Sequence, residues 1–170
     1  MVELVKAHEG LEGMYHDFMD EWLASGETIV PYAVKLQGMD FPGWLAHTRS
    51  IEQPETCPAH LVPASTYFLV QDSKRVLGAV NIRHRLNDYL LRVGGHIGYG
   101  VRPSERRQGH ATRMLSMALP IARLLGIARV LVTCDKSNVG SARTILRCGG
   151  VLESEVQDEG DIVQRYWIAQ

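Results

Sequence analysis

The stretch that decides the fold is Val101-Arg102-Pro103-Ser104-Glu105-Arg106-Arg107-Gln108-Gly109-His110-Ala111-Thr112. Before it, His96 to Val101 (HIGYGV) reads as a strand ending at Arg102-Pro103. After it, Met114, Leu115, Ala118, Leu119, Ile121, Ala122 and Leu125 recur at helical spacing and predict a helix over 111–125, bent or interrupted at Pro120. At such a junction the first helical N–H groups have no intrahelical partner, and the helix dipole adds partial positive charge. Gly109 admits close backbone approach, Ala111 keeps the first turn small, and Arg106 and Arg107 add charge. The loop therefore suits a phosphate or pyrophosphate. It matches neither the GxxxxGK[ST] nor the GxGxxG pattern.

Working outward, Thr66–Gln71 and Arg75–Arg85 read as a hairpin turning at Asp72-Ser73-Lys74, and Tyr89–Val93 as a short strand or helix. Downstream, Arg129–Cys134 (RVLVTC) has the unbroken apolar character of a buried strand. Asn138 then opens a helix from Val139 to Cys148 that stops at Gly149-Gly150, and two strands, 151–156 and 163–168, finish the chain. Upstream, Val2–Ala7 is a strand candidate, and Leu11, Met14, Tyr15, Phe18, Met19, Trp22 and Leu23 predict an amphipathic helix over 9–25. A second helix, 43–52, sits in an irregular region punctuated by Pro31, Gly38, Pro42, Pro54, Pro58 and Pro63. The predicted order β-α-α-β-β-β-α-β-α-β-β belongs to the α/β (α+β mixed) class: a central mixed sheet flanked by helices.

These residues resemble a known family. A strand, then V-x-P-x-x-R-x-x-G-x-A, then an amphipathic helix, is similar to the acyl-CoA-binding motif of the GNAT superfamily of N-acetyltransferases. The later RVLVTCD strand, with Asn138-Val139-Gly140-Ser141-Ala142-Arg143 and a helix closing on Gly-Gly, resembles the family's second signature. Order and spacing agree from about Thr66 to Ile168. The resemblance implies a mostly antiparallel sheet splayed between its fourth and fifth strands. It also implies acetyl-CoA as acyl donor and direct transfer to a primary amine, without a metal. Tyr99, Gly100 and Val101 would pair with pantetheine. The amides of Arg106, Arg107, Gln108, Gly109, His110, Ala111 and Thr112 would hold the pyrophosphate, and Asn138 and Ser141 would contact pantetheine or the diphosphate. One domain, 1–170, is expected, with an acceptor-side part over 1–64 and an acetyl-CoA-binding core over 65–170.

The family's usual proton-handling residues are missing. The helix Tyr seven residues after the Asn is Ile145, and the strand Glu five residues before it is Thr133. His96, whose ordinary pKa suits proton removal near neutrality, is the candidate base, and Tyr99 the candidate donor to a thiolate. Asp40 beside Phe41 and Trp44 forms a candidate acceptor site, a carboxylate among aromatics for a cationic amine. Arg83, Arg85 and Arg92 read as a solvated face. The competing reading is a catalytically silent CoA-binding sensor or interaction module.

Composition narrows the alternatives. The 170 residues, 45% hydrophobic and 22% charged, suit a single globular core. Eighteen Lys and Arg against 19 Asp and Glu give a net charge of −1, which offers no broad attraction to nucleic acid or to anionic membranes. Cys57, Cys134 and Cys148 have no zinc-type spacing and read as packing residues. With no signal-like or membrane-length apolar run, the chain reads as soluble and cytoplasmic. The expected partner is a small-molecule or peptide amine. A homodimer through the C-terminal hairpin, with Tyr166 and Trp167, is left open.

Overall fold

A computed structural model describes residues 1–170. Strand β2 (Ala64–Gln71) is buried along nearly its whole length, and the alternation of its side chains assigns the helices to two sides of the sheet. Phe68 and Val70 face one core, shared with α1 (Glu12–Ser25) and α2 (Phe41–Glu52). Leu69 faces the other, shared with α3 (His110–Leu124) and with Ile145 of α4 (Val139–Arg147). Strand β1 (Val2–Lys6) pairs with β2, and β2 turns through Asp72 and Ser73, both at positive φ, into β3 (Arg75–Arg83). Strand β4 (Ile97–Val101) completes a four-stranded antiparallel sheet, β1-β2-β3-β4. Strands β5 (Arg129–Asp135), β6 (Val151–Asp158) and β7 (Asp161–Ala169) form a second antiparallel sheet, β5-β7-β6.

The parting between β4 and β5 has a local cause. His96 N–H reaches Leu131 O at 2.7 Å, but Leu131 N–H goes to the imidazole Nδ1 of His96 at 2.9 Å. A ring has taken the amide that a continued ladder would have given to a carbonyl, and the pairing stops there. On the other side of β4, Arg83 N–H donates to His96 O and Arg102 N–H to Leu77 O. By the alternation of an antiparallel ladder, Gly98 and Gly100 turn their main-chain groups to β3. Those of Ile97, Tyr99 and Val101 point to the open side.

Several boundaries differ from the sequence reading. Helix α2 starts at Phe41 because the Asp40 carboxylate caps it, accepting Gly43 N–H at 2.8 Å, and Pro42 is tolerated in the first turn. Residues 90–94 form one wide helical turn, and α3 runs unbroken through the exposed Pro120. Strand β7, carrying Tyr166 and Trp167, is central in its sheet, and the outer strand of the C-terminal hairpin is β6. No helix is long and apolar enough to cross a membrane.

Candidate active site

Where β4 parts from β5, a cleft of about 720 Å³ opens between the loop after β4, the first turn of α4 and the loop after α1. One wall is the phosphate-loop candidate. Arg107 and Gly109 both take left-handed conformations, with φ of 62° and 81°. Glycine adopts that conformation freely, whereas for Arg107 it costs about 1 kcal/mol. The reversal leaves six consecutive amides, Arg107 to Thr112, with no acceptor in the chain, and no side chain caps α3. These N–H groups, at the positive end of the helix dipole, form the concavity expected for an anion. The Gln108 side chain turns away to Glu105 at 3.2 Å and does not line the cleft, so this residue brings only its backbone.

The facing wall is α4. The Asn138 side chain caps it, accepting Ser141 N–H at 3.1 Å, and Ser141 Oγ lies 2.7 Å from the Tyr99 hydroxyl. That phenol is pushed well above its ordinary pKa by burial, so it stays protonated. Arg143 and Arg147, one helical turn apart, also line the cleft, and neither has an ion-pair partner; nor has Arg107. The sequence reading missed both α4 arginines, although their i, i+4 spacing places them on one helix face.

The loop after α1 closes the third side. Glu27 takes Arg106 in a two-pronged ion pair, at 3.1 and 2.7 Å, and the guanidinium stacks 5.1 Å over Trp22. Arg106 holds the Glu27 carboxyl below its usual range. The Trp22 Nε1 is the only buried side-chain polar atom in the chain without a hydrogen bond. Val30 lies across Gly100, where any Cβ would collide with the Val30 carbonyl oxygen. Beneath, Arg102 is 2% exposed and binds Glu21 at 2.8 Å, Asp17 at 2.9 Å and Val76 O at 3.0 Å. Glu21 in turn accepts Ser104 N–H at 2.6 Å, which fastens the phosphate loop to α1.

Other sequence candidates lie elsewhere. His96 is 7% exposed and does not line the cleft. Its Nδ1 is occupied by Leu131, and burial, then the neighbouring Arg83, depress its pKa to about 4. A ring so held spaces the two sheets at the start of β4. Asp40 is a helix cap, and Phe41 and Trp44 are 2% and 1% exposed, packed on Tyr15 in the α1/α2 core. None of the three reaches the cleft. Gly100 turns its main-chain groups to β3, so the open edge is offered by Tyr99 and Val101. Thr133 donates to Val93 O at 2.6 Å, and Ile145 is wholly buried. No three His, Cys, Asp or Glu side chains gather as metal ligands.

The acetyltransferase (GNAT) domain family matches residues 17–151. No curated protein sequence matches significantly. Among solved structures, an acetyltransferase-like protein of Salmonella typhimurium with its cofactor acetyl-CoA is 13% identical, covers 99% of this chain and 93% of its own, and has a TM-score of 0.66. A GNAT-family acetyltransferase of Streptococcus pneumoniae, 13% identical, covers 100% of both chains with a TM-score of 0.68. A mutant spermidine N-acetyltransferase of Vibrio cholerae, 15% identical, covers 98% of this chain and 94% of its own with a TM-score of 0.67. At these identities the likeness is one of fold.

Proposed function

The chain belongs to the GNAT acetyltransferase family, and from that premise we propose that it transfers an acetyl group from acetyl-CoA directly to a primary amine held in this cleft. The observation that carries the reading is the run of six unpartnered amides, 107–112, facing the unpaired Arg143 and Arg147 across the gap. This is a site for a polyphosphate, beside a strand edge that has main-chain groups to spare. The residues present fit the donor: amides 107–112 with Arg107, Arg143 and Arg147 for its phosphates, and the Tyr99 and Val101 edge for its amide-bearing arm.

Acetyl-CoA supplies an activated thioester; the chain's own part is position and charge. The edge N–H groups of Tyr99 and Val101 are fixed donors, and one that the donor's arm leaves free needs no reorganisation to receive the negative charge that develops on oxygen. In the transfer an N–C bond forms and the C–S bond breaks. The amine proton leaves to solvent, since His96 does not line the cleft and the Glu27 carboxylate is engaged by Arg106. The leaving thiolate takes its proton from the Tyr99 hydroxyl, which water then restores. Holding both reactants in line supplies the larger share of the acceleration.

Calorimetric titration with acetyl-CoA tests this, beside an Arg143→Glu/Arg147→Glu variant. We expect saturable one-to-one binding, weakened by about 10- to 100-fold in the variant through lost and inverted charge. Absence of binding by the wild type would sink the cofactor assignment. Binding without CoA release from any amine would favour the silent sensor.

A further inference from the structure

Tyr99 stands between Gly98 and Gly100, so its side chain takes the opposite face of β4 from theirs. The glycine face carries the loop after α1, with Val30 against Gly100 and Pro31 against Gly98. On the other face Tyr99 packs, like Ala111 of α3 and Ala142 of α4, on the core that those helices cover. The phenol therefore reaches the cleft from the side of the elements that carry the phosphate amides and Arg143, and the loop after α1 lies across the sheet from it.

A single atom meets it there. The one hydrogen-bond partner of the Tyr99 hydroxyl is Ser141 Oγ at 2.7 Å, and Ser141 Oγ has no other. Ser141 is itself fixed, as the third residue of α4 with its N–H held by the Asn138 cap at 3.1 Å. Both side chains are half-buried and both line the cleft. Burial raises the Tyr99 phenol, and the Ser141 hydrogen bond opposes that rise because it favours the charged form. The first turn of α4 adds partial positive charge at the same place. Ile145, one turn further along α4, is wholly buried and has no proton to give.

We propose that Ser141 is a positioning residue for protonation of the leaving thiolate: its hydroxyl donates to Tyr99 Oη, turns the phenol's own hydrogen towards sulfur, and returns the proton from water. The proposal rests on the transferase reading above. A hydroxyl has one hydrogen, so two hydroxyls that have only each other admit two arrangements. Only with Ser141 as donor is the phenol hydrogen free for sulfur. As the C–S bond breaks, sulfur keeps the electron pair and takes the phenol proton. The phenolate takes the Ser141 proton, Ser141 takes one from water, and the proton released by the amine neutralises the hydroxide left behind.

The experiment measures CoA release from acetyl-CoA with the best of a panel of alkylamines, spermidine and a short peptide with a free N-terminus. Acetyl-CoA affinity is read by calorimetry, and the ring-carbon resonance of Tyr99 by NMR of the unliganded protein with isotope-labelled tyrosine. We expect Ser141→Ala to lower kcat by about 3- to 10-fold, the worth of one hydrogen bond, with acetyl-CoA affinity within about twofold. Alanine suits a helix interior, so the fold is kept. Ser141→Thr, which keeps the hydroxyl, recovers most of the loss. In a Tyr99→Phe background Ser141→Ala costs nothing further, because residues that act through one another are not additive; a structural role would lower both backgrounds alike. Without ligand, the Tyr99 resonance, identified by its absence in Tyr99→Phe, moves in Ser141→Ala and stays in Ser141→Thr. An unmoved resonance, an unchanged kcat, or a loss that persists in Tyr99→Phe overturns the proposal and leaves the transferase reading intact. Weakened acetyl-CoA binding with kcat unchanged also overturns it, and makes Ser141 a contact of the donor. Release of CoA by no amine in the panel, in a wild type that binds acetyl-CoA, overturns the transferase reading and the proposal with it.

Discussion

Tyr99 does two things from one position: its main-chain groups stand at the open edge of β4, and its hydroxyl rests on Ser141 at 2.7 Å. Because burial raises its pKa, the phenol does not ionise across the neutral range, and it acts as donor rather than base. Tyr99→Phe removes the donor and leaves the edge. Single-turnover kinetics should show kcat reduced by about 10- to 100-fold with acetyl-CoA affinity within about twofold; an unchanged kcat would assign the thiolate's proton to water. Much of this site is legible in the sequence, because an Arg-Arg-Gln-Gly-His-Ala junction and an Asn before a helix are local signals of backbone geometry. What the sequence conceals is where isolated side chains point. Asp40 beside Phe41 and Trp44 looks like a cation site, yet the same residues are a helix cap and two core aromatics. The pattern Asp40-Phe41-Pro42, a capping carboxylate with proline in the first turn, was the signal for the cap. Arg83 and Arg85 are equally charged and two residues apart; only the end of β3 at Arg83 separates an inward cation from an exposed one.

His96 shows how one side chain shapes two strands. The order and type of the elements follow from periodicity, but nothing periodic announces that the fourth strand begins with a ring replacing a carbonyl. The ring must be neutral for Nδ1 to accept the Leu131 N–H. Its pKa of about 4 lies below the ordinary 6.5, so the unfolded chain binds the proton more tightly than the folded one. Stability therefore falls as pH drops from about 6.5 towards 4, with a total on the order of 3 kcal/mol for this group. Denaturant unfolding at successive pH values should show a weaker acid dependence in His96→Gln than in the wild type over that window. Parallel curves would mean that the imidazole is not the wedge described.

The two sides of the cleft are far apart in sequence and are fastened by Arg102. This side chain, 2% exposed, ties Asp17 and Glu21 of α1 to the end of β4, and Glu21 holds Ser104 in turn. Burial alone would raise the Glu21 carboxyl; the Ser104 N–H and Arg102 hold it low instead. In Arg102→Met the two carboxylates regain water, since both are partly exposed, but Val76 O loses its donor. We expect a loss of about 2–4 kcal/mol of stability, together with several-fold weaker acetyl-CoA binding as the phosphate loop loosens. Intact affinity in a destabilised variant would show that the loop holds its shape without α1.

The separation into two sheets also fixes the order in which the molecule becomes whole during synthesis. Strands β1 to β4 lie within residues 2–101 and pair only with one another. Helices α1 and α2 precede β2, so the face bearing Phe68 and Val70 is clothed as soon as that sheet forms. The opposite face, with Leu69, Leu77, Val80 and Ile82, waits for Met114, Leu115, Ala118 and Ala122. A sheet of these four strands without the rest of the chain would have one bare greasy side, and α3 is at once the carrier of the anion cradle and a cover for that surface.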